Sequence, residues 1–130
     1  MNTQTPTKNH VLVVGDGSLF ESGVTSILSQ RSNALIHETE YIDDLALINE
    51  IESIRPVVVM IVTESNHMVD LIFSTPSLVG LVLRIIILRY YDTTIDIFDR
   101  APSSRNGAGY SHTQIVDSTV ESLLGFAFRA

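Results

Sequence analysis

Three groups of residues in this 130-residue chain have the types and spacing to do chemistry. The first is Gly15-Asp16-Gly17, which ends the apolar run Val11-Leu12-Val13-Val14, with Glu64 just beyond a second apolar run, Val57 to Val62. Asp16 and Glu64 together are candidate ligands for a hard divalent cation, which asks for oxygens in rigid octahedral positions. Read plainly, they are solvated acids at strand ends. The second is Arg89, which follows Arg84-Ile85-Ile86-Ile87-Leu88. Its guanidinium can pair with Asp16 or Glu64 and so occupy the same place as a metal or phosphate. The third is Tyr90-Tyr91 with Ile95, Ile97 and Phe98. Aromatic and apolar side chains left open at a sheet edge mark an association surface.

Other constellations are incomplete. A glycine turn after a buried strand belongs to dinucleotide sites, but that motif needs a third glycine at position 20, where Phe20 stands. Gly23 comes three residues late, and Asp16 would repel a phosphate. A small-ligand or nucleotide crevice at Gly15, Asp16, Gly17 and Glu64 remains the alternative to an interaction module. The four histidines, His10, His37, His67 and His112, include no i, i+3 or i, i+4 pair, so no helical zinc pair exists. Ser18, Ser22 and Ser26 have no base near them in sequence, and no nucleophile elbow occurs. With no cysteine, disulfide and thiolate chemistry are excluded. No cofactor and no metal are expected.

The bulk composition narrows the partners. Net charge is -7, and the eight Lys and Arg residues are scattered. Binding a phosphate backbone or an anionic membrane needs clustered cations, so neither nucleic acid nor membrane is an expected partner. Met1 to Asn9 is polar, which predicts a disordered tail and no signal peptide. The most apolar region, Met68 to Tyr91, is interrupted by Asp70, Pro76 and Arg84, so it cannot supply a membrane span. The expectation is a soluble, cytoplasmic, single domain over residues 10–130.

These residues need elements to position them. Continuous apolar runs at 11–14, 57–62 and 84–88 read as central strands covered on both faces. Ser18 and Glu21 form a capping box for a first helix with Phe20, Val24, Ile27 and Leu28 on one face. Ala34 to His37 predicts a second strand. Asp43-Asp44 caps a second helix that buries Leu47, Ile48, Ile51 and Ile54 and stops at Pro56. His67 to Phe73 predicts a third. Strands alternating with helices give a doubly wound, mostly parallel α/β sheet. The alternation then breaks, because only six residues separate Leu88 from Ile95. A parallel crossover needs a dozen or more, so the fifth strand must run antiparallel, without a helix before it. Residues 101–110 read as a loop. A last helix is expected from Ser111 to Thr113 onward, with Val116, Val120, Leu123, Leu124 and Ala127 as its buried stripe.

On VLVVGDGSLFESGVTSIL, RPVVVMIV and RIIILRYYD, over residues 10–128, the chain resembles the receiver (CheY-like) domain of bacterial two-component response regulators. The resemblance implies a flavodoxin-like five-stranded sheet, order 2-1-3-4-5, with the fifth strand at an edge. It also implies where phosphoryl-transfer residues would lie. The metal-holding acidic pair falls on Gly15 and Asp16. The phosphoacceptor, six residues past Pro56, falls on Val62, and the hydroxyl position on Arg89. The lysine position lies in a remodelled stretch, with Arg100 nearest. A valine has no oxygen to attack phosphorus, so the resemblance implies a pseudo-receiver: a non-enzymatic signalling module acting through protein–protein contacts. In the family this side of the domain commonly serves dimerisation, which implies a homodimer through Tyr90, Tyr91, Ile95, Ile97 and Phe98.

Overall fold

Three β-branched runs, each too apolar for an exposed strand, form the centre of the sheet. In a computed structural model they are β1 (His10–Gly15), β3 (Val58–Val62) and β4 (Arg84–Leu88). The structure describes residues 9–15, 19–31, 34–63, 67–79, 81, 83–89, 94–100 and 110–116. The remaining strands are β2 (Leu35–Glu40), β5 (Ile95–Arg100) and β6 (Tyr110–Ile115). The helices are α1 (Leu19–Arg31), α2 (Asp44–Ile54) and α3 (His67–Ser74), and a 3-10 turn spans Pro76–Leu78.

The sheet order is β2-β1-β3-β4-β5-β6. β2, β1, β3 and β4 are parallel neighbours, whereas β5 runs antiparallel to both β4 and β6. The flavodoxin-like order and the reversed fifth strand therefore hold. Two expectations do not. The sheet has six strands, so β5 lies inside it and not at its edge. The helix expected from Ser111 onward is preceded by β6, because Tyr110, His112 and Gln114 alternate with Ser111, Thr113 and Ile115 at the strand period of two. Helical spacing past Val116 concealed that alternation. Val116 is 64% exposed and belongs to no buried stripe, while Val120, Leu123, Leu124 and Ala127 lie outside the described residues.

Period two also separates the core into two layers. Leu12, Val14, Val59, Ile61, Ile85, Ile87 and Phe98 point to one face, where α2 contributes Leu47, Ile48 and Ile51, and α3 contributes Val69, Ile72 and Phe73. Val11, Val13, Met60, Val62, Ile86, Leu88, Ile95 and Ile97 point to the other, where α1 contributes Val24 and Leu28. Most of these strand residues have no exposed surface at all. At about 25 cal/mol per Å² of apolar area, this burial is the main favourable term in folding.

The end of α2 is defined chemically. Asp43 accepts a hydrogen bond from the Ala46 amide at 2.8 Å, which satisfies one free first-turn donor. Arg55 closes the helix in the left-handed region (φ 52°), its amide donating to the Ile51 carbonyl at 2.8 Å. Pro56 follows and prevents continuation. Cap and core differ in scale. Asp43→Ala is expected to lower stability by about 1 kcal/mol. Ile61→Ala, which empties a fully buried site, is expected to lower it by about 2–5 kcal/mol. Urea melts at constant m-value check the order of the two.

Candidate functional site at the carboxyl ends of the strands

Open α/β sheets bind ligands at the carboxyl ends of their parallel strands. Gly15 closes β1 there, Val62 closes β3, and Arg89 follows β4. The Thr63 amide donates to the Leu88 carbonyl at 3.2 Å and so holds the chain beyond β3 against β4. The Val62 side chain is 6% exposed and lies in the layer beneath α1 with Met60, Leu88 and Ile95. It fills apolar volume. Asp16, Gly17, Glu64, Tyr90 and Tyr91 lie outside the described residues.

Among the described residues, Arg89 has an ionic partner that the sequence did not single out. It is Asp96, whose Oδ2 pairs with the Arg89 Nη1. The reversal of β5 brings this carboxylate here, setting Asp96 opposite Ile87 on one side and Gln114 on the other. Asp96 is 2% exposed. A lone carboxylate at that burial would be strongly destabilising, so its oxygens need donors. Gln114 Nε2 donates to Oδ1 at 3.0 Å, and His112 Nε2 approaches the same oxygen at 2.9 Å. Against an acceptor-only carboxylate, that ring nitrogen must carry the proton.

Aromatic contacts continue from this ion pair along β5 and β6. His112 lies directly across from Phe98, their rings 4.3 Å apart and 9° from parallel. Tyr110 meets Phe98 edge-on at 5.6 Å and stacks on Phe73 of α3 at 5.1 Å. Its hydroxyl donates to Asp70 Oδ1 at 2.6 Å. That hydrogen bond, then partial burial, then the Asp70 charge raise the Tyr110 pKa above the ordinary phenol value. Asp96 was not singled out in the sequence because a lone acid between Ile95 and Ile97 reads as the solvent side of a strand. Phe98, two residues on and thus on the same face, was the available signal that this face is covered.

Two expectations about β5 change. Arg100, nearest the lysine position, lies at the opposite end of the sheet, next to the cross-strand pair of Arg84 with Asp99. An antiparallel strand delivers its carboxyl end there. Arg100 instead donates to the carbonyls of Phe73 at 3.2 Å and Leu78 at 3.1 Å, with its guanidinium 5.1 Å from the Phe73 ring centroid. Burial pulls its pKa down from the usual arginine value. Ile95, Ile97 and Phe98, expected on an open association surface, are each 3% exposed. They pack inside the monomer and cannot meet a second chain.

A smaller polar group joins the first turns of α2 and α3. Tyr41 donates to Asp44 Oδ1 at 2.5 Å, and His67 Nε2 lies 3.2 and 3.3 Å from the two Asp44 oxygens. The Tyr41 hydrogen bond first, then that of His67, hold the Asp44 carboxyl below the usual aspartate range. At the other end of the sheet His10 Nδ1 and His37 Nε2 are 2.9 Å apart, with ring centroids at 5.2 Å. The two rings lie 24° from parallel. No group of three or more His, Asp or Glu able to hold a metal ion occurs among the described residues. Among them, too, no helix is long and apolar enough to cross a membrane.

No protein-family model matches the chain, and no curated protein or solved structure matches it.

Two measurements follow from these contacts. Asp96→Ala leaves the Arg89 charge without its buried partner and is expected to cost about 3–5 kcal/mol in a urea melt, whereas the double change Arg89→Met with Asp96→Leu recovers most of it. The depressed Asp44 pKa contributes stability that is full above the unfolded value of about 3.9 and is lost as pH falls through the folded value. Asp44→Asn is therefore expected to lower the melting temperature slightly in the neutral region and to leave it unchanged at the acid end, so that the acid limb of the profile flattens.

Proposed function

We propose that this chain is a non-catalytic, receiver-like signalling module that works in the cytoplasm through protein–protein contacts. The observation that carries the reading is the direction of β5. In the receiver family the fifth strand ends at the phosphorylation pocket and presents a lysine to the phosphoryl oxygens. Here the strand runs the other way, takes Arg100 to the far end, and brings Asp96 to Arg89 instead. A cation already satisfied by a buried carboxylate is poorly placed to stabilise a transferring phosphoryl group. At the acceptor position stands Val62, which has no nucleophilic atom and is enclosed by apolar neighbours.

The alternative, a phosphorelay receiver with Glu64 as a displaced acidic acceptor, falls on a residue outside the described ones; among the described carboxylates at this end, Asp96 is disfavoured. Asp96 is a carboxylate near the strand ends, but it is buried and contacted by Arg89, His112 and Gln114. Phosphorylation would require in-line approach to an oxygen already engaged on the protein side. Recognition through the surface is then the remaining means of signalling.

Incubation with Mg²⁺ and acetyl phosphate is expected to leave the intact mass unchanged. Titration with Mg²⁺ alone is expected to give no saturable heat. A phosphoryl mass increment that survives purification, mapped by peptide sequencing to any carboxylate, would overturn the reading.

A further inference from the structure

Among the described residues, β6 is the outermost strand on its side of the sheet, and nothing in its own sequence guards it. Edge strands are normally protected by charge, proline, a bulge or a cover, because their free amides and carbonyls form a template for another strand. β6 reads Tyr-Ser-His-Thr-Gln-Ile: six residues, no proline, no lysine and no carboxylate. Among the described residues, only β5 pairs with it. Residues 110–114 are all exposed. The opposite edge is different. β2 reads Leu-Ile-His-Glu-Thr-Glu, and Glu38 and Glu40 are exposed along it. Self-pairing through β2 would crowd acids against acids; self-pairing through β6 would not.

We propose that β6 pairs antiparallel with β6 of a second copy of this chain, joining two six-stranded sheets into one about a two-fold axis. This names the partner for the interaction module described above and rests on that reading. Charge favours a second copy at this edge over other self-contacts. The molecule carries a net charge of -7, and this strand has no carboxylate to set against its own copy. A two-fold normal to the sheet pairs residues on the same face, so even-numbered residues meet even and odd meet odd. Centred on Thr113, the register sets Thr113 opposite its own copy, His112 opposite Gln114 and Ser111 opposite Ile115.

The same register sets Tyr110 of each copy beside Val116 of the other. These two are the exposed large hydrophobic side chains at this edge, 37% and 64% exposed. Aromatic with β-branched is among the better cross-strand combinations, and facing threonines are also favourable. The dimer therefore covers apolar surface that the monomer leaves in water. It differs from the association expected from sequence, since it uses neither Ile95, Ile97 nor Phe98.

Light scattering on the full chain over a wide concentration range tests the proposal. The wild type is expected to rise to twice the monomer mass. Thr113→Lys places two ammonium groups opposite each other and is expected to hold the monomer mass throughout, with the wild-type circular dichroism spectrum and a melting temperature that does not depend on concentration. The chain has no cysteine of its own, so Thr113→Cys is expected to form a covalent dimer on mild oxidation, and Glu38→Cys on the other edge is not. A wild type that stays monomeric, a Thr113→Lys variant that still dimerises, or Thr113→Cys that fails to cross-link overturns this edge. Each of those results leaves the non-phosphorylated module standing if the intact mass is unchanged by acetyl phosphate; a phosphoryl adduct overturns that module instead.

Discussion

The short connection between β4 and β5 governs what the carboxyl end of this sheet can do. Six residues cannot carry a chain back across the sheet to start a parallel strand, so β5 reverses. Reversal exchanges the residues at the two ends. Arg100 goes to the end where α3 and the 3-10 turn finish, and there it satisfies their carbonyls. Asp96 comes to the end where Arg89 leaves β4, and there it becomes a buried anion with three protein partners. A single constraint on loop length thus sets which charged side chains stand at each end of the sheet.

The Arg89–Asp96 pair has an energetic cost and a structural use. Burying an ion pair rarely adds net stability, because desolvation offsets the attraction. Its value lies in specificity. Asp96 takes donors from a side chain after β4 and from two residues of β6, so it fixes the order and register of three segments at once. The stacked Phe98 and His112 repeat the same registration one pair further along. β6 is therefore attached through polar and aromatic contacts, in contrast to the aliphatic layers that hold β1, β3 and β4.

How much of this was legible in the sequence follows from the same contrast. Val11 to Val14, Val57 to Val62 and Ile85 to Leu88 have one reading, because runs of β-branched residues bounded by turns fit only buried strands. Asp43 and Pro56 mark α2 because capping and ring closure act locally. The reversal of β5 was legible by counting residues. β6 was not, since Tyr-Ser-His-Thr-Gln-Ile has a single aliphatic residue and is held by partners distant in sequence. Nor was the Arg89–Asp96 pair, since Asp16 and Glu64 are nearer to Arg89 in any reading that follows strand ends. Burial of Ile95 and Ile97 depends on the layer beneath α1, which no local pattern specifies.

The way β6 is attached also sets how the molecule opens. Local openings cost least where few apolar contacts must be broken, and they can occur without global unfolding. Among the described residues of β6, only Ile115 is an aliphatic side chain packed on an apolar layer, while Tyr110 and His112 stack on Phe73 and Phe98 from positions that water still reaches. The backbone amides of β6 should then exchange with deuterium well ahead of those in β1 and β3, whose residues have essentially no exposed surface. The sheet would behave as two cooperative units of unequal persistence: an inner one that lasts as long as the fold itself, and an outer ribbon that comes and goes upon it.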